Sequence, residues 1–248
     1  MTENTARPAP ADSSAAKPGR SRAFTQWVTG VCSDPGARAA LRTGVRRNLD
    51  HVRPMHRLVA PWLPTGRHLP ESEERAYYLI AAMIADQPRH SFAAGPDDDD
   101  LDEDGELVMT NGQHPLPLPQ DTPNTQSLQQ DRRQGTSLGA AFARAVVKSP
   151  GREGEMREST AETRLNLLTR QSVNGLFRHL PGSVRYLRQT DTDIDFAQLL
   201  DDLIAWPTRS GRISRHWLQD YYQQLSRSQR EQTDKQDAEE LLRTAPNA

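Results

Sequence analysis

The sequence predicts an all-α protein, a compact bundle or pair of bundles with roughly seven to nine helices. Apolar side chains recur at spacings of three and four residues over most of the 248-residue chain. No segment alternates apolar and polar residues for long enough to indicate a strand. Ser, Thr or Asp precedes several of the apolar stripes in the position of a helix N-cap, which supports the same fold class.

Four helical patterns are visible in the first part of the chain. The first places four apolar residues at i, i+3, i+4 and i+7, namely Phe24, Trp27, Val28 and Val31. The second opens with Asp34 as N-cap and Pro35 at the first helical position. The third stops at Pro64 and consists of Met55, Leu58, Val59 and Trp62. The fourth opens at Ser72 and ends before Pro88, with a face made of Tyr77, Tyr78, Ile80, Ala81 and Ile84.

The helical pattern resumes in the second part of the chain. Thr136 or Ser137 is expected to cap a helix with the apolar face Leu138, Phe142, Ala145 and Val146. One or two further helices follow, and Pro181 is expected to kink or split them. Their apolar residues are Leu165, Leu168, Val173, Leu176, Phe177, Leu180, Val184 and Leu187. Asp195 is expected to cap a helix that Pro207 closes, and a last stripe comprises Ile213, Trp217, Leu218, Tyr221, Tyr222 and Leu225.

Three segments interrupt or flank the helical domain predicted over residues 21–230. Residues 1–20 are a Pro/Ala/Ser-rich arm that we expect to be disordered. Residues 93–133 form an acidic, Pro-rich insert that we expect to be a long disordered loop. This insert is either an insertion into one domain or the boundary between two helical halves. Residues 231–248 are a charged tail with too few apolar residues to bury much surface.

The formal net charge of −2 conceals a strong segregation of charge along the chain. Residues 20–92 carry 11 arginines and 6 acidic residues, and residues 132–230 carry 16 basic and 10 acidic residues. Residues 93–131 carry 10 acidic residues and no Lys or Arg. The two helical blocks are therefore basic, which is typical of proteins that bind polyanions.

The composition narrows the class of protein. No stretch approaches the ~18 consecutive apolar residues that a membrane span requires. The N-terminal residues lack the apolar core of a signal peptide, so we expect a cytoplasmic protein. The single cysteine, Cys32, excludes an intramolecular disulfide and a zinc site built on cysteines. We expect no cofactor and no metal site.

The catalytic motifs that the chain partly matches lack the context their chemistry needs. Residues 135–139, with the sequence GTSLG, match the nucleophile elbow of hydrolases, but QQDRRQ before them is no strand, so Ser137 is predicted to be a helix cap. Residues 191–195 resemble the start of a calcium loop, but Phe196 stands where glycine must turn the chain. We find no phosphate-binding glycine loop and no paired metal-binding histidines. The sequence therefore does not indicate an enzyme.

Arginines at helical spacing indicate a surface that binds the phosphate backbone of nucleic acids. Pairs and triplets stand three, four, seven or ten positions apart, so that each group shares one helix side. One such arginine alone is more typical of a solvated helix face, but several helices of this kind indicate non-specific backbone binding. The candidate residues are Arg38, Arg42, Arg144, Arg164, Arg178, Arg185, Arg188, Arg212 and Arg215.

Six stretches of the chain carry a family resemblance, in family order. They are GARAALRTGV (36–45), SLGAAFARAVV (137–147), ETRLNLLT (162–169), LFRHLPGSVRYLR (176–188), IDFAQLLDDLIAW (194–206) and ISRHWLQDYY (213–222). Together they resemble the CasB family, the small subunit of the type I-E CRISPR surveillance complex called Cascade. Eight of the nine candidate arginines lie within these stretches, and the ninth, Arg212, directly precedes the last one.

The resemblance implies a non-catalytic all-α subunit of an antiviral ribonucleoprotein. Two copies are expected to lie beside the crRNA, in contact with the large subunit and the backbone subunits. There the chain is expected to hold the displaced non-target single-stranded DNA and to stabilise the R-loop. The acidic insert is longer and more charged than the family needs. It is either an inert solubilising loop or a competitor of nucleic acid for the basic faces.

Two other readings of the sequence remain open. An independent helical DNA-binding or regulatory protein is the alternative, and it is expected to bind duplex DNA without partner subunits. A hydrolase built on Ser137 ranks third, and substitution of this serine would abolish any activity of that kind.

Overall fold

The structure, a computed structural model, describes residues 19–45, 47, 49–87, 135–147 and 156–244, with only the backbone described over 235–244. Within these ranges the chain forms eight α-helices and two short 3₁₀ helices, and it contains no strand. The predicted all-α fold class is therefore confirmed. The N-terminal arm up to residue 18 and the acidic insert lie outside the described residues.

The α-helices are named in chain order. They are α1 (Arg20–Val31), α2 (Pro35–Arg42), α3 (Arg53–Val59), α4 (Glu71–Ala85), α5 (Leu138–Val146), α6 (Glu158–Thr169), α7 (Val173–Gln189) and α8 (Phe196–Thr244). The 3₁₀ helices, Leu49–His51 and Ala60–Trp62, flank α3.

Three of the predicted N-caps are present. The carboxylate of Asp34 accepts hydrogen bonds from the backbone N–H groups of Gly36 at 2.9 Å and Ala37 at 3.2 Å. Ser137 Oγ accepts the N–H of Ala140 at 3.2 Å and starts α5. Asp195 accepts the N–H of Gln198 at 3.0 Å and starts α8. Each cap satisfies backbone donors that the first helical turn leaves unpaired.

The two predicted proline breaks have different outcomes: the one at Pro181 is wrong, and the one at Pro207 lies two residues before a kink. Helix α7 runs without interruption through Pro181, because Leu180, Pro181 and Val184 are buried in the core and their packing outweighs one missing backbone hydrogen bond. Helix α8 consists of two helical halves that meet close to the predicted end at Pro207, where Arg209 has non-helical backbone angles (φ −135°, ψ 19°). The chain therefore bends at Arg209 and continues as a helix through most of the predicted charged tail.

Two helices form the centre of the fold. Every residue of α4 from Ala76 to Ala85 is buried, so this helix is apolar around its whole circumference. It packs against α1, α2, α3, α7 and α8, and α8 packs in turn against α1, α5 and α6. The indole rings of Trp206 and Trp217, one on each side of the kink in α8, lie 5.2 Å apart in the core. The two central helices thus set the positions of the arginines on the helices around them.

Helices α5 and α8 approach each other closely at a glycine. A Cβ atom added to Gly139 would lie 1.8 Å from the backbone oxygen of Trp217, a distance that no side chain can occupy. The second glycine of the GTSLG motif is therefore required by helix packing.

Candidate nucleic-acid interface

The nine candidate arginines divide into two classes. Six are held by contacts inside the protein and three form no hydrogen bond or ion pair with the described part of the chain. The held residues are Arg38, Arg42, Arg144, Arg164, Arg185 and Arg188. The others, which are exposed, are Arg178, Arg212 and Arg215.

Three of the held arginines converge on the C-terminal end of α4. Asp86, the C-cap of this helix, accepts Arg42 Nη2 at 3.3 Å and the Nε and Nη2 groups of Arg185 at 3.2 and 2.6 Å. Arg38 donates to the carbonyl oxygens of Ala85, at 3.1 Å, and Gln87. Cations at this position also satisfy the unpaired carbonyls and the partial negative charge of a helix C-terminus.

The same region forms a cleft between α2, α4 and α7, which we call the Asp86 cleft. Apolar side chains separate its charged groups, so that the arginines stand at the edge of a largely apolar depression. The residues that define it are Arg42, Met83, Asp86, Pro181, Val184 and Arg185. Arg188 also lines this cleft.

The remaining held arginines support the end of α7. Arg144 donates to the backbone oxygen of Asp193 at 2.9 Å, and Arg188 lies 3.5 Å from the carboxylate of the same residue. The Arg164 guanidinium lies over the ring of Tyr186 at 4.3 Å from its centroid, a cation–π contact between α6 and α7. These arginines join helices and loops and present less cationic surface than their spacing in the sequence suggests.

Arg178 lies on a separate groove, between α4, α7 and the 3₁₀ helix Leu49–His51. Arg47 and Arg75 line the same groove. Arg75 stacks over Phe177 at 5.0 Å from the ring centroid and donates to Asn174 at 2.8 Å. This groove also contains acidic side chains, so its surface has mixed charge.

Arg212 and Arg215 lie just after the kink in α8. Together with Arg209 and His216 they line one groove, and we call these four residues the kink surface. Their basic side chains extend from one side of α8, because they lie within about two helical turns. The kink surface places three exposed arginines within seven residues of the chain, which suits it to contacts with successive phosphates, and Asp201 and Asp220 line the same groove.

A buried carboxylate lies behind the kink surface. Asp202 accepts the indole N–H of Trp217 at 2.7 Å and the amide of Gln198 at 3.0 Å. Burial raises the pKa of Asp202 from 3.8 to about 6, although these two hydrogen bonds and His216 oppose the shift. The carboxylate therefore links the two halves of α8 across the kink.

The described residues can be compared with the hydrolase and metal-site alternatives. Ser137 is buried and caps α5, so it does not have the exposed position of a nucleophile. The described ranges contain no group of three His, Cys, Asp or Glu side chains placed to hold a metal ion. They also contain no helix with the length and apolar character needed to cross a bilayer.

The comparisons with known proteins identify the family. The sequence model of the family described as CRISPR-associated protein Cse2 matches residues 37–222. The chain belongs to the Cse2 family. A search of curated proteins gives no match.

The fold of this chain is similar to those of several solved structures. It resembles a chain of a CRISPR RNA-guided surveillance complex in a pre-nicking state, with 29% identity and a TM-score of 0.62 over 86% of this chain and 97% of that one. CasB from M. ruber is 18% identical, with a TM-score of 0.55 over 86% and 98% of the two chains. CasB from Thermus thermophilus is 20% identical, with a TM-score of 0.50 over 82% and 97%. The predicted resemblance to the CasB family is confirmed.

Five residues of these surfaces were not among the candidates that the sequence offered, namely Arg47, Arg75, Asp86, Arg209 and His216. Arg209 stands three positions before Arg212, so helical spacing was available as a signal, and only the expected end of the helix at Pro207 concealed it. The sequence held no signal for Asp86, since its partner Arg185 is 99 positions away.

Proposed function

We propose that this chain is the small, non-catalytic subunit of a type I-E CRISPR ribonucleoprotein, where it binds the displaced non-target DNA strand and stabilises the R-loop. The observation that carries the proposal is the 29% identity over 97% of a chain from an RNA-guided surveillance complex. Membership of the Cse2 family supports the same assignment.

The charge distribution supports the nucleic-acid part of the proposal. The kink surface and Arg178 offer guanidinium groups to phosphates without a base-reading element, which suits a strand of any sequence. Formation of an R-loop is a nearly balanced exchange of DNA pairing for RNA–DNA pairing. A few phosphate contacts to the displaced strand are therefore sufficient to shift this balance.

The partners follow from this role. The chain contacts the large subunit, the backbone subunits, the crRNA and a second copy of itself, in the cytoplasm and without a cofactor. Residues 21–230 act as the small-subunit domain, interrupted by the insert.

Co-expression with the other complex subunits and a crRNA tests the assignment. We expect the chain to copurify with the ribonucleoprotein, and we expect omission of the chain to expose the displaced strand to chemical or nuclease footprinting. Failure to join the complex, together with tight, salt-sensitive binding of duplex DNA by the chain alone, would favour the independent DNA-binding protein.

Arginine variants test the surface within the complex. Arg212→Ala with Arg215→Ala is expected to weaken protection of the displaced strand without loss of assembly, because both side chains are exposed and form no hydrogen bond within the described part of the chain. Arg227→Ala, on an exposed part of α8 beyond the family match, is the matched control and is expected to retain protection. Equal protection of the displaced strand by the wild type, the double variant and the Arg227→Ala control would contradict the kink surface as a DNA contact.

A further inference from the structure

The Asp86 cleft places one carboxylate between two guanidinium groups from different helices. Arg42 belongs to α2, Arg185 belongs to α7, and Asp86 directly follows α4. We propose that Asp86 is an internal counter-anion that occupies the position of a phosphodiester group in this cleft and thereby weakens its binding of single-stranded DNA. This inference rests on the proposed function and adds to it a residue that limits affinity.

The geometry of the three side chains is that of arginines around a bound anion. One oxygen of Asp86 accepts two N–H groups of Arg185, at 3.2 and 2.6 Å, and the other oxygen accepts Arg42 at 3.3 Å. Guanidinium groups bind the non-bridging oxygens of a phosphate in the same way. The carboxylate therefore uses donors that a nucleic-acid backbone would otherwise receive.

The exposures of these side chains leave room for a ligand. Arg42 and Arg185 are 55% and 56% exposed, whereas the Asp86 side chain is only 16% exposed. A phosphate can therefore reach the outer edges of both guanidinium groups while Asp86 remains behind them. The apolar surroundings of Met83, Pro181 and Val184 reduce the screening of charges in the cleft. The negative charge of Asp86 consequently opposes an incoming phosphate.

Arg38 holds the backbone on either side of this carboxylate. Its guanidinium donates to the carbonyl oxygens of Ala85 and Gln87, the residues that flank Asp86. The Cα atom that carries the carboxylate therefore has a fixed position at the cleft, while Arg42 and Arg185 bind the carboxylate itself. Removal of the charge of Asp86 is expected to have a measurable effect on affinity.

Asp86→Asn in the full chain tests the proposal. Asparagine keeps the size of the side chain and one oxygen acceptor for the arginines, but it removes the charge. We expect a labelled oligo(dT) to bind the variant about three- to fivefold more tightly than the wild type at low salt. We also expect the slope of log K against log[NaCl] to steepen by about 0.7, as for one additional neutralised phosphate of a single strand.

Three companion variants separate the cleft from a general change in charge. Asp234→Asn removes one negative charge from an exposed part of α8 outside the cleft, and its affinity is expected to equal that of the wild type. Arg42→Ala combined with Arg185→Ala is expected to cancel the effect of Asp86→Asn, since both guanidinium groups that Asp86 binds are then absent. An equal gain in Asp234→Asn, or no gain in Asp86→Asn, overturns the proposal. Asp86→Ser serves the same comparison if circular dichroism finds that the Asn variant is unfolded.

Assembly distinguishes this proposal from the proposed function. Each variant is also co-expressed with the complex subunits and the crRNA. A chain that joins the ribonucleoprotein but gains no affinity from Asp86→Asn overturns the counter-anion while the subunit assignment stands. A chain that gains affinity but never joins the complex supports the counter-anion and overturns the subunit assignment.

Discussion

The Asp86 cleft and the kink surface are both rich in arginine, but they hold their helices together by opposite means. Around α4, arginine side chains connect the helices: Arg38, Arg42 and Arg185 bind α2 and α7 to the C-terminal end of α4 by hydrogen bonds. Around the kink in α8, the helices are connected by uncharged hydrogen-bond donors such as the buried indole of Trp217, and the arginines remain exposed. The exposed arginines at the kink can therefore offer all their N–H groups to a ligand, whereas the arginines around α4 already use some of theirs inside the protein.

Three hydrogen bonds connect α8 near its kink. The indole N–H of Trp217 reaches Asp202 at 2.7 Å, and that of Trp206 reaches the backbone oxygen of Gln171 at 3.2 Å. Ser214 donates to the backbone oxygen of Thr169 at 3.0 Å. These donors come from α8 itself, and Arg212 and Arg215 form no hydrogen bond or ion pair with the described part of the chain. The difference between the two regions leads to predictions about stability as well as about binding.

The largest effect is expected where α5 meets the kink region. Gly139→Ala places a methyl group 1.8 Å from the backbone oxygen of Trp217, and neither helix can avoid it by a side-chain rotation. We expect a loss of about 3 kcal/mol in the free energy of unfolding, measured by chemical denaturation. Gly211→Ala is the control, since nothing lies within 4 Å of its new Cβ and a gain of about 0.5 kcal/mol is expected. A loss of the same size in both variants would contradict the role of helix approach.

The next effect concerns the buried carboxylate of the kink region. Asp202 has its pKa raised by burial to about 6, so the folded state retains its proton at a pH where the unfolded state has lost it. The stability that it contributes is present below about pH 4 and is lost as the pH rises through about 6. Asp202→Asn stays uncharged and keeps an acceptor for Trp217. We therefore expect the variant to gain about 2 kcal/mol relative to the wild type between about pH 4.5 and pH 7.

Denaturant titrations of both proteins across this pH range measure the difference. All other ionisable groups are shared by the two proteins, so their effects cancel in the comparison. Stability curves that run parallel across the range would show that Asp202 ionises equally in the folded and unfolded chains.

The local parts of the fold were predictable from the sequence. Asp34, Ser137 and Asp195 were predicted as caps because a cap depends on residues two or three positions away. Pro181 was misjudged because tertiary packing decides whether a helix tolerates a proline, whereas the end expected at Pro207 lies two residues from the kink at Arg209.

The site was predictable only as a set of arginines. Helical spacing placed Arg178, Arg185 and Arg188 on one helix, and the uninterrupted α7 confirms that placement. Their different uses depend on residues far away in the sequence, such as Asp86 for Arg185. Helical spacing predicts on which side of a helix an arginine lies but not what it binds. The sequence alone therefore does not distinguish arginines that connect helices from arginines that are exposed.

The smallest effect tests the comparison most directly, with one arginine from each region. Arg38→Ala removes two hydrogen bonds to carbonyl oxygens at the end of α4, so we expect a loss of about 1 to 2 kcal/mol in stability. Arg212→Ala removes an exposed side chain and is expected to change stability by less than about 0.5 kcal/mol. Its affinity for oligo(dT) is expected to fall, with a salt dependence shallower by about 0.7. Denaturation and binding titrations of the two variants side by side measure both quantities. If Arg38→Ala lost affinity without losing stability, Arg38 would be a ligand contact and would not hold the end of α4, and the contrast between the two regions would be wrong for this residue.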